Sequence, residues 1–154
     1  MDIPPLKGIY LLLIRVEEEA KICLKGDRRW LIPPGNYFYA GSAKGPGGLK
    51  ARIARHLKRG KRLHWHIDFL LASPGSKITH VVYAEADVPE CALVSLLEEA
   101  GCTHVIEGFG SSDCRSGCVS HLTKCHYSMD ECLQIAISSF KALKLSPCVV
   151  STST

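Results

Sequence analysis

The sequence predicts an α+β domain in which a short antiparallel sheet packs against helices. Three observations carry that expectation. The run GIYLLLI at residues 8–14 is β-branched, aromatic and aliphatic throughout, which suits a buried strand. Leu49, Ile53 and Leu57 recur every four residues, the single apolar stripe of an amphipathic helix. Ser128-Met129-Asp130-Glu131 has capping-box spacing and opens a C-terminal helix that runs to about Lys144.

The remaining elements follow from turn chemistry. Residues 21–25 form a second strand, and Gly26-Asp27 marks the turn after it. Pro33-Pro34-Gly35 interrupts residues 30–40, so the third strand is expected over 36–40 and the three strands form one central sheet. A glycine-rich link over 44–48 enters the helix of residues 49–58, and Arg59-Gly60-Lys61 ends it. Residues 66–71 read as a short helical turn and 78–84 as another strand. Asp87 is expected to cap a helix that Gly101 stops, and residues 108–114 form a loop. Residues 1–127 constitute the domain, 128–145 a helix packed on it, and 146–154 a flexible tail.

Length and composition fit one compact unit: 154 residues support one real core but not two. No apolar stretch reaches the roughly 20 residues that span a bilayer, and the N-terminus lacks a basic segment followed by an apolar run. A cytoplasmic location, away from membranes, is expected. Eight cysteines are many for such a compartment, where disulfides are rare. Cys23, Cys91, Cys102 and Cys132 lie in apolar patterns and are read as small core residues.

Charge is distributed unevenly. From Arg28 to Ile67 the chain carries ten Lys and Arg and no Asp or Glu, whereas the remainder holds nine basic residues against fifteen acidic ones. A cationic face of this kind attracts polyanions, nucleic acid first. Lys44, Lys50, Arg55, Lys58, Arg59, His64 and His66 are the candidate contacts, with DNA expected ahead of RNA.

Hydrolysing a phosphodiester needs a nucleophilic water, a base for its proton and positive charge on the pentavalent transition state. A tyrosine can act as that base only if nearby cations depress its pKa. Arginine suits phosphate because its planar fork donates bidentate hydrogen bonds and stays charged. Tyr10, Tyr39, Arg52 and His56 could supply these parts. Gly8-Ile9-Tyr10 and Tyr39-Ala40-Gly41, followed by Gly41-Ser42-Ala43-Lys44 and an Arg52-x-x-x-His56 helix, resemble the GIY-YIG nuclease superfamily over about residues 6–100. The resemblance implies a small GIY-YIG-like domain with a three-stranded antiparallel sheet and flanking helices. It implies Tyr10 as base or relay, Tyr39 positioning water or phosphate, Arg52 stabilising the transition state, and His56 assisting. It also implies a glutamate on a later helix holding one Mg²⁺ or Mn²⁺ ion, for which Glu90 is the candidate; the bland reading of Glu90 is a carboxylate favoured at a helix N-terminus.

The sequence departs from that superfamily near its end, where the usual Asn is missing. Gly108-Phe109-Gly110-Ser111-Ser112-Asp113-Cys114 and Ser120-His121-Leu122 stand there instead, similar to an uncharacterised GIY-YIG-like branch, some members of which are fused to base-excision endonucleases. Ser112, Asp113, Ser120 or His121 would then complete the site. Cys114, Cys118, His121, Cys125 and His126 also offer four zinc ligands, although no Cys-x-x-Cys pair occurs. The expected function is a metal-dependent endonuclease acting on DNA in repair or processing. The alternatives are a non-catalytic nucleic-acid-binding module and a zinc-stabilised interaction domain.

Overall fold

The apolar run near the start of the chain becomes the middle of a sheet. In the computed structural model, which describes residues 2–110 and 117–152, strand β1 (Gly8–Val16) is buried at every position except Arg15. A strand buried on both faces needs a layer on each side, and the later elements provide both. Among the described residues, strands β2 (Ala20–Cys23) and β3 (Arg29–Ile32) pair only with each other. Strand β4 (Gly35–Ala43) returns antiparallel to β1, helices α1 (Gly48–Leu57) and α2 (His66–Leu71) follow, and β5 (Ser76–Glu85) takes the other side of β1. Helix α3 (Cys91–Glu99), strand β6 (Leu122–Cys125), helix α4 (Met129–Ala142) and strand β7 (Cys148–Ser151) complete the chain.

The α+β class is as expected, but the sheet is not three-stranded. It has five antiparallel strands in the order β6-β4-β1-β5-β7, and the segment expected as its second strand lies in the separate β2–β3 ribbon. The reason is geometric: β4 and β5 occupy both ladders of β1, and Pro33-Pro34 separates β3 from β4. Residues 148–151, expected in a tail, instead pair with His80–Tyr83, where the β-branched Val149 and Val150 suit a ladder. Asp87 does not cap α3; Glu90 occupies that position with no side-chain capping hydrogen bond. Ser128 does cap α4, accepting from the Glu131 N–H at 3.2 Å.

Alternation along β1 divides the core in two. Tyr10, Leu12, Ile14 and Val16 pack with Leu49 and Ile53 of α1 and Ile67 and Leu70 of α2. Ile9, Leu11 and Leu13 face Leu93 and Leu97 of α3 and Ala136 and Phe140 of α4. Cys91, Cys102 and Cys132 are buried as expected, whereas Cys23 is exposed on the ribbon. Cys91 is bridged to Cys118 and Cys125 to Cys132, pairings that spacing alone did not reveal. No helix among the described residues is long and apolar enough to cross a membrane.

Candidate functional site

Strand register brings the two tyrosines together. Tyr10 lies opposite Gly41 and Leu12 opposite Tyr39, so Tyr10 and Tyr39 are diagonal neighbours on one face of β1 and β4. Gly41 is required there, because a Cβ at that position would overlap the Tyr10 phenol. Helix α1 packs over this face through Leu49 and Ile53, and carries Arg52 and His56 one turn apart. The Tyr10 hydroxyl and His56 Nε2 are 2.7 Å apart, and the His56 ring also meets Tyr39 edge-on at 6.1 Å between centroids.

Two arginines on α1 have different surroundings. Arg55 forms a bidentate pair with Asp68, both hydrogen bonds 2.9 Å long, and Asp68 is wholly buried. Asp68 Oδ2 also accepts from the His64 and Trp65 N–H groups, so this carboxylate is fully engaged. Both guanidiniums pack on the Trp65 ring, whose centroid is 4.6 Å from the Arg52 guanidinium carbon and 4.1 Å from that of Arg55. Arg52 donates from Nη1 to the Ser42 carbonyl at 3.0 Å, and its guanidinium also acts on the Tyr10 hydroxyl. Arg55, expected to contact phosphate, is thus held in an internal ion pair, while Arg52 keeps much of its planar fork for a ligand.

Glu90 enters from the start of α3. Its carboxylate acts electrostatically on both Tyr10 and Tyr39, as does the Arg52 guanidinium. Glu90 Oε1 lies 3.9 Å from His121 Nε2, and the His121 ring faces Tyr39 at 6.5 Å between centroids. The main chain fixes His121 in place: its N–H donates to the Phe109 carbonyl and its carbonyl accepts from Ala40 N–H. Tyr10, Tyr39, Arg52, His56, Glu90 and His121 therefore form one group drawn from two strands, two helices and the segment before β6.

Protonation states depart from the expected chemistry in one respect. Burial, above all, pushes both tyrosine hydroxyls well above the usual phenol range; Arg52 only partly offsets this. Neither hydroxyl is a depressed-pKa base, and Tyr10 is a neutral phenol at neutral pH. His56 is pushed down to about 3, by burial first and then by the Lys61 charge, so its imidazole is neutral as well. An unfolded chain protonates His56 near 6.5 and the folded one near 3, so between those values protons favour unfolding. His56 is expected to remove about 1.4 kcal/mol of stability per pH unit as pH falls from 6 to 4.5. Urea denaturation across that range checks this, and His56→Phe should flatten the slope.

The other predicted residues are scattered. Lys44, Lys50, Lys58, Arg59 and His64 are exposed, as a polyanion surface needs. His66 instead accepts from the Gly110 N–H at 2.9 Å and packs edge-on against Trp30. Ser120 is buried and spent on the backbone, contacting the Phe109 and Leu122 carbonyls and accepting from Leu122 N–H, so it does not complete the site. Ser112, Asp113 and Cys114 lie outside the described residues. The zinc cluster is recomposed: Cys125 is bridged to Cys132 and His126 bonds Thr103, while Cys118 and His121 converge with Cys91. Asp68, Trp65 and Cys91 were not identified from the sequence as site residues. Asp68 carried one local signal, an acid in the first turn of α2; the Cys91–Cys118 approach carried none, being 27 residues apart.

A groove of about 1090 Å³ adjoins the site, lined by Lys58, Arg59, Lys61 and Lys77 among others. It meets the tyrosine site only through His56 and does not lie over the phenols. The family model described as a domain of unknown function, DUF123, matches residues 9–142, a span that includes every residue of the site. No curated protein and no solved structure matches the chain.

Proposed function

The chain belongs to the DUF123 family, and from the site it carries we propose that it is a metal-dependent endonuclease with a GIY-YIG-like catalytic group, hydrolysing phosphodiester bonds in DNA. One observation carries the reading: Arg52 and Glu90, opposite charges on separate helices, act on the same two buried hydroxyls. That pairing suits a phosphate bound beside a divalent cation.

The donor set fits such an ion. Asp68 is committed to Arg55 and two N–H groups, whereas Glu90 makes no side-chain capping hydrogen bond and stands 3.9 Å from His121 Nε2, so it is the carboxylate that would meet a cation. One carboxylate with open water positions suits Mg²⁺ or Mn²⁺, held by Glu90. When bound, that ion supplies positive charge at the phosphate oxygens and acidifies its water. Arg52 would grip the phosphate with its guanidinium and stabilise the charge that develops in the transition state. Tyr10 is suited to relay rather than to act as a base by itself. Its oxygen would take a proton from the attacking water as its own passes to His56 Nε2, 2.7 Å away, a transfer that requires the bound phosphate anion to raise the imidazole from its value of about 3. Tyr39 orients water or phosphate from the neighbouring strand. The exposed Lys58 and Arg59 beside the basic groove would hold the rest of the strand by phosphate contacts.

The test is incubation with single-stranded, nicked and branched DNA in Mg²⁺ or Mn²⁺. Tyr10→Phe, which keeps the ring and removes the relay, is expected to slow cleavage about 100-fold; undiminished cleavage would remove Tyr10 from the mechanism. The raised phenols favour a second reading, a non-catalytic nucleic-acid-binding module that keeps the cradle. It predicts salt-sensitive binding, lost when Lys58 and Arg59 are neutralised, with no nicks formed in any metal.

A further inference from the structure

Cys91 begins α3, next to Glu90, and Cys118 precedes His121 by three residues. Their sulfur atoms and one His121 ring nitrogen lie within 4.8 Å of one another, the single such cluster among the described residues. Cys91 Sγ is 3.6 Å from His121 Nε2. In a tetrahedral zinc centre with Zn–S about 2.3 Å and Zn–N about 2.0 Å, a sulfur and a nitrogen ligand stand about 3.5 Å apart. The Cys91 and Cys118 Cα atoms are 6.0 Å apart, close enough for both sulfurs to share an ion. Main-chain hydrogen bonds to its N–H and carbonyl fix the backbone from which the His121 imidazole projects.

We propose that Cys91, Cys118 and His121 form a zinc site that is closed by the Cys91–Cys118 disulfide and opened by its reduction. A reducing cytoplasm would keep the pair as thiols. With a phosphine reductant the step balances as follows. The S–S bond breaks, phosphorus is oxidised and takes oxygen from water, and the two water protons end on the two sulfurs. Zinc then displaces those protons, forming two Zn–S bonds and one Zn–N bond to His121 Nε2, with a fourth position left open for water. Glu90 Oε1, 3.9 Å from the same nitrogen, places negative charge beside the cation. The site differs from the one the sequence suggested, because Cys91 replaces Cys125 and His126.

The experiment uses the full chain without DNA, so its outcome is separate from that of the cleavage reading. Zinc is titrated into phosphine-reduced and oxidised protein against a chromophoric chelator, and cobalt(II) is added in parallel as a spectroscopic probe. Reduced protein is expected to take one zinc per chain and to give tetrahedral cobalt with sulfur charge-transfer bands. Oxidised protein should show neither. Cys118→Ser and His121→Ala should weaken binding at least about 10-fold, and Cys23→Ser should not. Alkylation of reduced wild-type protein, mapped by mass spectrometry, needs no variant to fold: zinc should protect Cys91 and Cys118 and leave Cys23 reactive. Equal alkylation of Cys91 and Cys118 with and without zinc, or wild-type affinity in folded Cys118→Ser and His121→Ala, would overturn the site.

Discussion

Arg52→Ala is expected to lower metal-dependent cleavage about 1,000-fold while changing DNA affinity only several-fold. Removing a preorganised donor to a developing phosphate charge costs on this order. Arg52 is suited to the role because its hydrogen bond to the Ser42 carbonyl aims the side chain toward the Tyr10 hydroxyl, on which its charge acts. Trp65 stacks on Arg52 at 4.6 Å and limits its freedom. Arg52→Lys should recover only part of the loss, since an ammonium keeps charge but not planar bidentate geometry. Single-turnover rates at saturating metal measure this directly, and a kcat loss without a matching rise in KM marks a transition-state role. The far-ultraviolet circular dichroism of both variants should match the wild type, because Arg52 is partly exposed.

Asp68→Ala is the substitution expected to cost most stability, about 3–5 kcal/mol. It would leave the Arg55 guanidinium without its carboxylate and remove the acceptor for two N–H groups at the start of α2. Burial by itself would raise the Asp68 pKa, but the hydrogen bonds from Arg55, Trp65 and His64 and the Arg55 charge outweigh it and hold the carboxyl below its ordinary value. With the folded pKa depressed, this contribution is complete above about pH 4 and is lost as pH falls through the folded value. Urea midpoints at pH 7 measure the loss. Asp68→Asn should retain part of the stability, since its amide oxygen can still accept from the Trp65 N–H.

Much of this arrangement was legible in the sequence because it depends on local patterns. Tyr10 and Tyr39 sit on strands, and Arg52 and His56 share a helix face set by Leu49 and Ile53. Alternation on β1 and the 3.6-residue period of α1 suffice to aim those four side chains. What was not legible depends on distance along the chain. Whether β1 would accept β5 or the 21–25 segment as its second neighbour is decided by sheet-wide pairing, which no window of sequence contains. Strand β7 was hidden for the same reason: its four residues make a strand only because β5 offers an edge. The basic surface was read from charge alone, so Arg55 was counted among its members. Asp68, at the end of the acid-free stretch, folds back to neutralise it. The direction of the tyrosine pKa shifts is set by burial in the folded chain, which outweighs the cations beside the phenols.

Under the proposed function, Arg52 and Glu90 work on one phosphate at Tyr10 and Tyr39. The most direct measurement is cleavage of end-labelled branched DNA by wild-type protein and by Glu90→Gln, each in Mg²⁺, Mn²⁺ and excess chelator. The account predicts scission by the wild type that stops with chelator and falls at least about 100-fold in Glu90→Gln, which keeps the side chain's shape but removes its charge. DNA left intact by the wild type in every metal, or equal cutting by Glu90→Gln, would contradict it.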